Sequence, residues 1–194
     1  MKNPRRTNQQ RSDATRAALL DAARALFVDR GYAETGTPEI VRAASVTRGA
    51  LYHHFTDKAD LLRGVIVREL ERVASEIDQA AADAPSTMEA LMQGAVAWFD
   101  AMSDPGRTRL LLLDGPAVLG RAEMDRIDRA TSAATLVAGL RAGQDAGEII
   151  DAPLEALAGS LSAVFDRAAL DIVNGASREA YLEVIAHLLG GLRR

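Results

Sequence analysis

The chain has no cysteine among its 194 residues, which excludes disulfides, cysteine-ligated zinc and thiol catalysis. Histidine is nearly as scarce: only His53, His54 and His187 are present. The first two are adjacent, and neighbours on a helix diverge by about 100°, with no third ligand close by, so no metal site is expected. No glycine-rich phosphate loop occurs. The acids Glu69 and Glu71 fall on different sides of a helix and read as solvated surface. These absences argue against an enzyme and against any cofactor. No apolar run of about eighteen residues is free of charge, so no membrane-spanning helix is expected. Met1 to Ser12 is polar and basic and lacks the apolar middle of a secretion signal. The expectation is a soluble, cytoplasmic protein. Strand-like alternation is missing too, and every clear period is helical, so the fold class is all-α.

What the chain does have is unevenly spread. The net charge is −4, but residues 1–63 hold 11 Lys+Arg against 7 Asp+Glu, while residues 64–194 hold 12 against 20. A basic head on an acidic body suits a protein that meets nucleic acid at one end only. Hydrophobic residues make up 48% of the chain, enough for a substantial core.

The first helix is expected from Thr15 to Arg30, with a stripe of Leu19, Ala22, Ala23, Leu26 and Phe27, ended by Gly31. Thr37 is placed to cap a second helix with Pro38 in its first turn, and Thr47 to cap a third. A fourth helix is expected from Asp57 to Ala82, stopped by Pro85, and Ser86 with Glu89 reads as a capping box for a fifth. Arg107 to Leu113 reads as a short apolar helix ended by Asp114-Gly-Pro116. A long helix from Arg121 to Ala142 precedes a loop from Gly143 to Asp151. Two last helices are expected, from Asp151 to about Asn174 and from Ser177 to about Leu192.

The stretch from Thr37 to Lys58 is the most informative. Its two helices, Pro38 to Ala44 and Arg48 to His54, are too short to persist alone in water. Ile40, Val41, Val46, Leu51 and Phe55 give them a small shared core, and the remaining face carries Thr47, Arg48, Tyr52, His53 and Lys58. This is the pattern of a helix-turn-helix, whose second helix enters the DNA major groove. Thr37, Thr47 and Lys58 stand at three successive helix starts, where backbone N–H groups and the helix dipole favour phosphate. Arg48 can offer a fork to guanine O6 and N7, worth roughly 1–3 kcal/mol of discrimination. Gly49 lets the helix backbone come close to the bases, and Tyr52 presents a hydroxyl to phosphate. His53 lies on the same exposed side, and His54 is expected to turn inward or toward the first helix.

The run Ala23-x-x-Leu26-Phe27-x-x-x-Gly31-Tyr32, Thr37-x-x-Ile40, then Val46-Thr47-x-Gly49-x-Leu51-Tyr52-x-His54-Phe55-x-x-Lys58-x-x-Leu61 resembles the DNA-binding domain of the TetR family of bacterial transcriptional regulators. About a quarter of the chain carries this pattern. It departs at Gly36, where a hydroxyl residue is common and one phosphate contact is forgone, at Ser45, where the turn glycine is usual, and at Val41, where alanine is usual. The resemblance implies three regions: a basic flexible tail (1–14), a helix-turn-helix head (15–62) and a ligand-binding, dimerising body (63–194). Arg5, Arg6 and Arg11 then belong either to a disordered tail or to an arm reaching the minor groove.

The resemblance also implies the partners: a palindromic double-stranded DNA operator, a small-molecule effector of unidentified chemistry, and a second copy of the chain. Repression released by the effector is the family's habit, with activation as the alternative, and a helical interaction module without specific DNA binding as another. The last two helices carry apolar stripes suited to a two-fold four-helix bundle, through Leu157, Leu161, Phe165, Ile172, Tyr181, Ile185, Leu188 and Leu189. Packing within one chain explains the same periodicity. One short recognition helix reads few base pairs, however, and two-fold pairing doubles the site. Trp98, Phe99, Met102, Met124 and Phe165 are the candidate walls of an effector pocket.

Overall fold

A computed structural model describes residues 7–194. Those residues form eleven α-helices and one π-helical turn, and their only β-type pairing is an isolated bridge between Ile149 and Arg193. The all-α expectation is met. No helix among the described residues is long and apolar enough to cross a membrane.

The first helix, α1 (Asn8–Arg30), begins seven residues before the expected Thr15. The Thr7 side chain accepts a hydrogen bond from the Gln10 N–H at 3.2 Å, and the Gln10 side chain accepts one from the Thr7 N–H at 2.9 Å. This reciprocal capping box sets the start. Residues 8–14, expected as flexible tail, are therefore helical, and Arg11 rides on α1; Arg5 and Arg6 lie outside the described residues. Gly31 ends the helix at φ +86°, a conformation that favours glycine.

Helices α2 (Thr37–Ala43) and α3 (Arg48–His54) form as the spacing predicts, with one change of role. Gly36, not Thr37, is the N-cap of α2, and the Glu39 carboxylate accepts the Gly36 N–H at 3.1 Å. Thr37 is thereby released from capping. Thr47 does cap α3, accepting from the Ala50 N–H at 3.1 Å. Between the two helices, Ser45 sits at φ +55°, the only positive φ at a non-glycine position among the described residues. A left-handed L-residue costs about 1–2 kcal/mol, and glycine's extra chain entropy returns about 0.5–1 kcal/mol of that. Ser45→Gly is therefore expected to raise stability by up to about 1 kcal/mol, read as a higher urea midpoint. An unchanged or lower midpoint would mean that the turn is unstrained.

Helix α4 (Lys58–Ala81), capped by Asp57, runs from beneath the head into the body. The expected boundary at 62/63 falls inside this unbroken helix. One core continues across it, from Phe27, Ile40, Leu51 and Phe55 through Leu62 and Ile66 to Met102, Leu110 and Met124. Helix α5 (Thr87–Met102) opens at Ser86 as expected. Next come α6 (Arg107–Arg109), a π-helical turn (Leu110–Asp114) and α7 (Gly115–Leu119) in one continuous path. Asp114-Gly-Pro116 does not stop this path as expected. Pro116 sits in the first turn of α7, where its missing N–H is tolerated, and the wide turn before it relieves the clash of its ring with the preceding carbonyls.

The long helix expected over Arg121 to Ala142 is two, α8 (Arg121–Arg129) and α9 (Ser132–Asp145). Thr131 breaks it: its hydroxyl donates to the Ile127 carbonyl at 2.8 Å and its backbone leaves the helical region. Such hydroxyl side chains offer the backbone an alternative to the helix ladder. Helices α10 (Leu154–Val173) and α11 (Arg178–Gly190) complete the body. A second core of Leu91, Phe99, Leu140, Leu161, Phe165, Ile185 and Leu189 joins them to α5 and α9.

Candidate nucleic-acid interface and ligand cavity

Helix α3 is divided by its two faces. Leu51 is fully buried and Phe55 nearly so, whereas Thr47, Arg48, Gly49, Tyr52 and His53 are exposed together. The Arg48 guanidinium lies over the Tyr52 ring at 5.5 Å, and Thr37 and Arg48 beside the Tyr52 hydroxyl hold its pKa below the ordinary phenol value. Thr37, freed from capping, thus meets the start of α3 on the same surface. A Cβ built at Gly49 would find only the Thr47 hydroxyl, 3.9 Å away, and Gly49 has ordinary helical backbone. Nothing inside the head requires a glycine there.

Lys58 is placed differently from its neighbours in the predicted set. Its ammonium donates to the Tyr32 carbonyl at 2.9 Å and the Thr35 carbonyl at 3.0 Å, and lies 4.2 Å from the centre of the Tyr32 ring. Two of its three donors tie α4 to the loop after α1, and one remains for an outside oxygen. His54 is half-buried toward α1, as expected, and burial depresses its pKa.

The body holds a cavity of about 210 Å³ among α4, α5, α7, α8, α9, α10 and α11 and the π-helical turn. Of the five candidate pocket walls, Trp98, Met102, Met124 and Phe165 line it. Phe99 does not: it lies behind, 3% exposed, with its ring centre 5.2 Å from that of Trp98 and 5.8 Å from that of Phe165. Four acids absent from the predicted set, Asp78, Asp125, Asp128 and Asp166, also line the cavity. Asp166 occupies an inward position next to Phe165 on α10, and that placement was the available signal.

A buried ion cluster lies where head and body meet. Glu69 has no exposed surface, contrary to the expectation of a solvated acid. One of its oxygens is 3.0 Å from Arg24 of α1 and 3.0 Å from Arg72, and the other is 3.0 Å from Arg107 of α6. Arg107 also donates to the Ala101 carbonyl at 2.7 Å, and Arg24 pairs with Asp104. Nearby, Gly106, at φ +78°, lets Val28 of α1 pack on its bare Cα. The segment that contacts α1 therefore continues directly into Leu111 and Leu112 of the cavity wall.

The expected dimer residues divide. Leu161, Phe165, Ile185 and Leu189 are buried within one chain, in the second core, and are not available to a partner. Helices α10 and α11 bury their most apolar faces on α5 and α9 first, so the intramolecular reading holds for these four. Leu157, Ile172 and Tyr181 are half-buried, and Leu188 is 43% exposed beside Val184 at 50%.

Comparison with known proteins agrees with this architecture. Residues 19–65 match the family description "Bacterial regulatory proteins, tetR family", and residues 88–192 match "Tetracyclin repressor-like, C-terminal domain". The transcriptional activator FasR of Mycolicibacterium smegmatis is 31% identical over 131 residues, 68% of this chain and 60% of its own length. The transcriptional repressor BepR of Brucella suis is 35% identical over 108 residues, 55% of this chain and 51% of its own. The chain thus spans no more than 60% of these curated relatives. The crystal structure of a TetR-family transcriptional regulator from Pectobacterium atrosepticum superposes with a TM-score of 0.75 at 29% identity, covering 97% of this chain and 98% of that one. With a helix-turn-helix joined through α4 to a helical body, and with family patterns matched over both parts, the chain belongs to the TetR family of bacterial regulatory proteins.

Proposed function

We propose that this protein is a ligand-responsive transcriptional regulator that binds a palindromic operator as a homodimer. In this reading, residues 15–62 are the DNA-binding head and residues 63–194 the ligand-binding and dimerising body. The observation that carries it is the exposed face of α3, where Thr47, Arg48, Gly49, Tyr52 and His53 stand together. Arg48 reads a base edge, while Thr37, Thr47, Tyr52 and the free donor of Lys58 hold phosphates and fix register. A glycine with no internal reason, at the start of a helix meant for the groove, fits close backbone approach to DNA.

The dimer forms through the outer surfaces of α10 and α11. Leu188 and Val184 supply apolar area, and Leu157, Ile172 and Tyr181 flank them. Exposed Gly159, Ser160 and Ala163 allow close helix approach. An effector in the cavity presses on Leu111 and Leu112, whose segment carries Gly106 and Arg107 against α1 and Glu69. Occupancy is thereby linked to the spacing of the two heads, and it shifts DNA affinity only by its differential affinity for the two conformers. Repression released by the effector is the main reading. Activation is the second, favoured by the partial identity to a protein named as an activator.

Selection from a pool of random duplex DNA tests this function. The expected outcome is enrichment of a two-fold-symmetric site whose halves are spaced for one dimer. Enrichment of a single half-site, or of nothing, contradicts it.

A further inference from the structure

The cavity has a polarity that narrows its occupant, within the ligand-responsive reading above. Its apolar wall includes Trp98, Met102, Met124 and Phe165, whereas one end is acidic. Asp125 and Asp128 project there from α8 and Asp166 from α10. The single basic side chain in the lining, Arg121, is 75% exposed and pairs with Asp125 at 3.5 Å. Asp128 is satisfied by the Ser132 hydroxyl at 2.5 Å. No described residue donates a hydrogen bond to Asp166 or forms an ion pair with it. From the structure we infer that the effector is a compact organic cation, a protonated amine or quaternary ammonium on an aromatic or branched apolar body, whose charge lies against Asp166 and Asp128.

Each part of the lining acts in the same direction. Burial and the neighbouring Asp128 push the Asp166 carboxyl up to about 6, with Asp125 adding to the rise and Arg121 opposing it. Burial likewise raises Asp128. Anionic Asp166 is thus disfavoured at this buried position, and a cation between the two carboxylates removes that cost. No other element brings a competing cation: α4 adds only Asp78, while α5, α9, α11, the π-helical turn and α7 add no ionisable group to the lining. The aromatic faces of Trp98 and Phe165, 5.4 Å apart between ring centres, favour a cation and repel an anion. A volume of about 210 Å³ has room for one ring and a small head group.

Trp98 is the only tryptophan in the chain, so its fluorescence reports occupancy directly. The test compares benzyltrimethylammonium with neopentylbenzene, its neutral isostere, and with phenylacetate, using the full-length protein. Expected is quenching by the cation with affinity at least about tenfold above either competitor, since one fully formed charge contact is worth that much. Binding of the cation should weaken roughly tenfold from pH 7 to pH 5 as Asp166 takes up its proton, while the neutral probe stays level. Asp166→Asn, which removes a costly buried charge and so keeps the fold, should erase both the preference and the pH dependence. Equal or tighter binding of the neutral or anionic probe, an unchanged preference in Asp166→Asn, or no binding of any probe at millimolar concentration overturns the inference. The regulator reading fails separately. A cation-selective protein that selects no symmetric duplex keeps the cavity's chemistry and loses the DNA function, while a protein that selects the duplex and ignores the cation does the reverse.

Discussion

Glu69→Ala is expected to lower the unfolding free energy by about 3–5 kcal/mol, because it leaves Arg107 charged and buried without its closest counterion. Arg107 is 4% exposed, and its remaining acids, Glu76 and Asp104, stand farther off at 3.7 and 3.9 Å. The check is urea unfolding at matched protein concentration, since the stability of the proposed dimer depends on concentration. A second variant separates charge from packing. Glu69→Met combined with Arg107→Met should recover at least half of the loss, because an apolar pair of similar volume avoids the desolvation penalty. Arg24 and Arg72 reach solvent and can manage without the carboxylate, being 21% and 47% exposed. A single-variant loss under about 1 kcal/mol would show that Glu69 is not the counterion on which this junction depends.

Arg48→Ala should act on recognition and leave the fold alone. Arg48 is exposed, lies over the Tyr52 ring and forms no ion pair with a described residue, so stability should move by no more than about 0.5 kcal/mol. Loss of a bidentate guanine contact should cost about 1–3 kcal/mol of discrimination per head. On a two-fold site both heads lose it. Arg48→Lys keeps the charge without the fork, so it should retain most affinity for random duplex while losing most of the preference. If both variants keep the preference of the unsubstituted protein, Arg48 does not read a base.

These two residues were unequally legible in the sequence, and the reason is physical. Arg48 follows a cap and precedes Leu51, so its side of the helix is settled by local pattern alone. Glu69 shares the inward stripe Leu62, Ile66 and Val73 on α4, which marks it as buried, but its partners lie 45 residues before it and 38 after. Charge type suggested solvent; Arg72 is a local i+3 partner, but only tertiary packing supplied Arg24 and Arg107. The same limit applies elsewhere. The head's short helices were readable because caps and turn residues are local. The break at Thr131 depends on a hydroxyl competing for a backbone carbonyl, which a hydrophobic period does not register. The apolar stripes of α10 and α11 were real, yet periodicity alone does not say whether α5 or a second chain covers them.

The cavity shows a related pattern. Its aromatic and methionine walls followed from residue type, with Phe99 misplaced by one helical position relative to Trp98. Its acidic end did not, because α8 and α10 meet only in the folded body. Lys58 was placed correctly at a helix start, but its bonds to the Tyr32 and Thr35 carbonyls give it an internal duty as well.

The central claim is that α3 reads a specific duplex through two symmetric heads. It is tested most directly by fluorescence anisotropy, titrating protein into the selected palindrome and into a scrambled duplex of equal length and composition at the same salt. The account predicts a preference of at least about 10³-fold for the palindrome at physiological salt. It also predicts that both affinities fall steeply as salt rises. Coincident curves for the two duplexes at every salt concentration would contradict it.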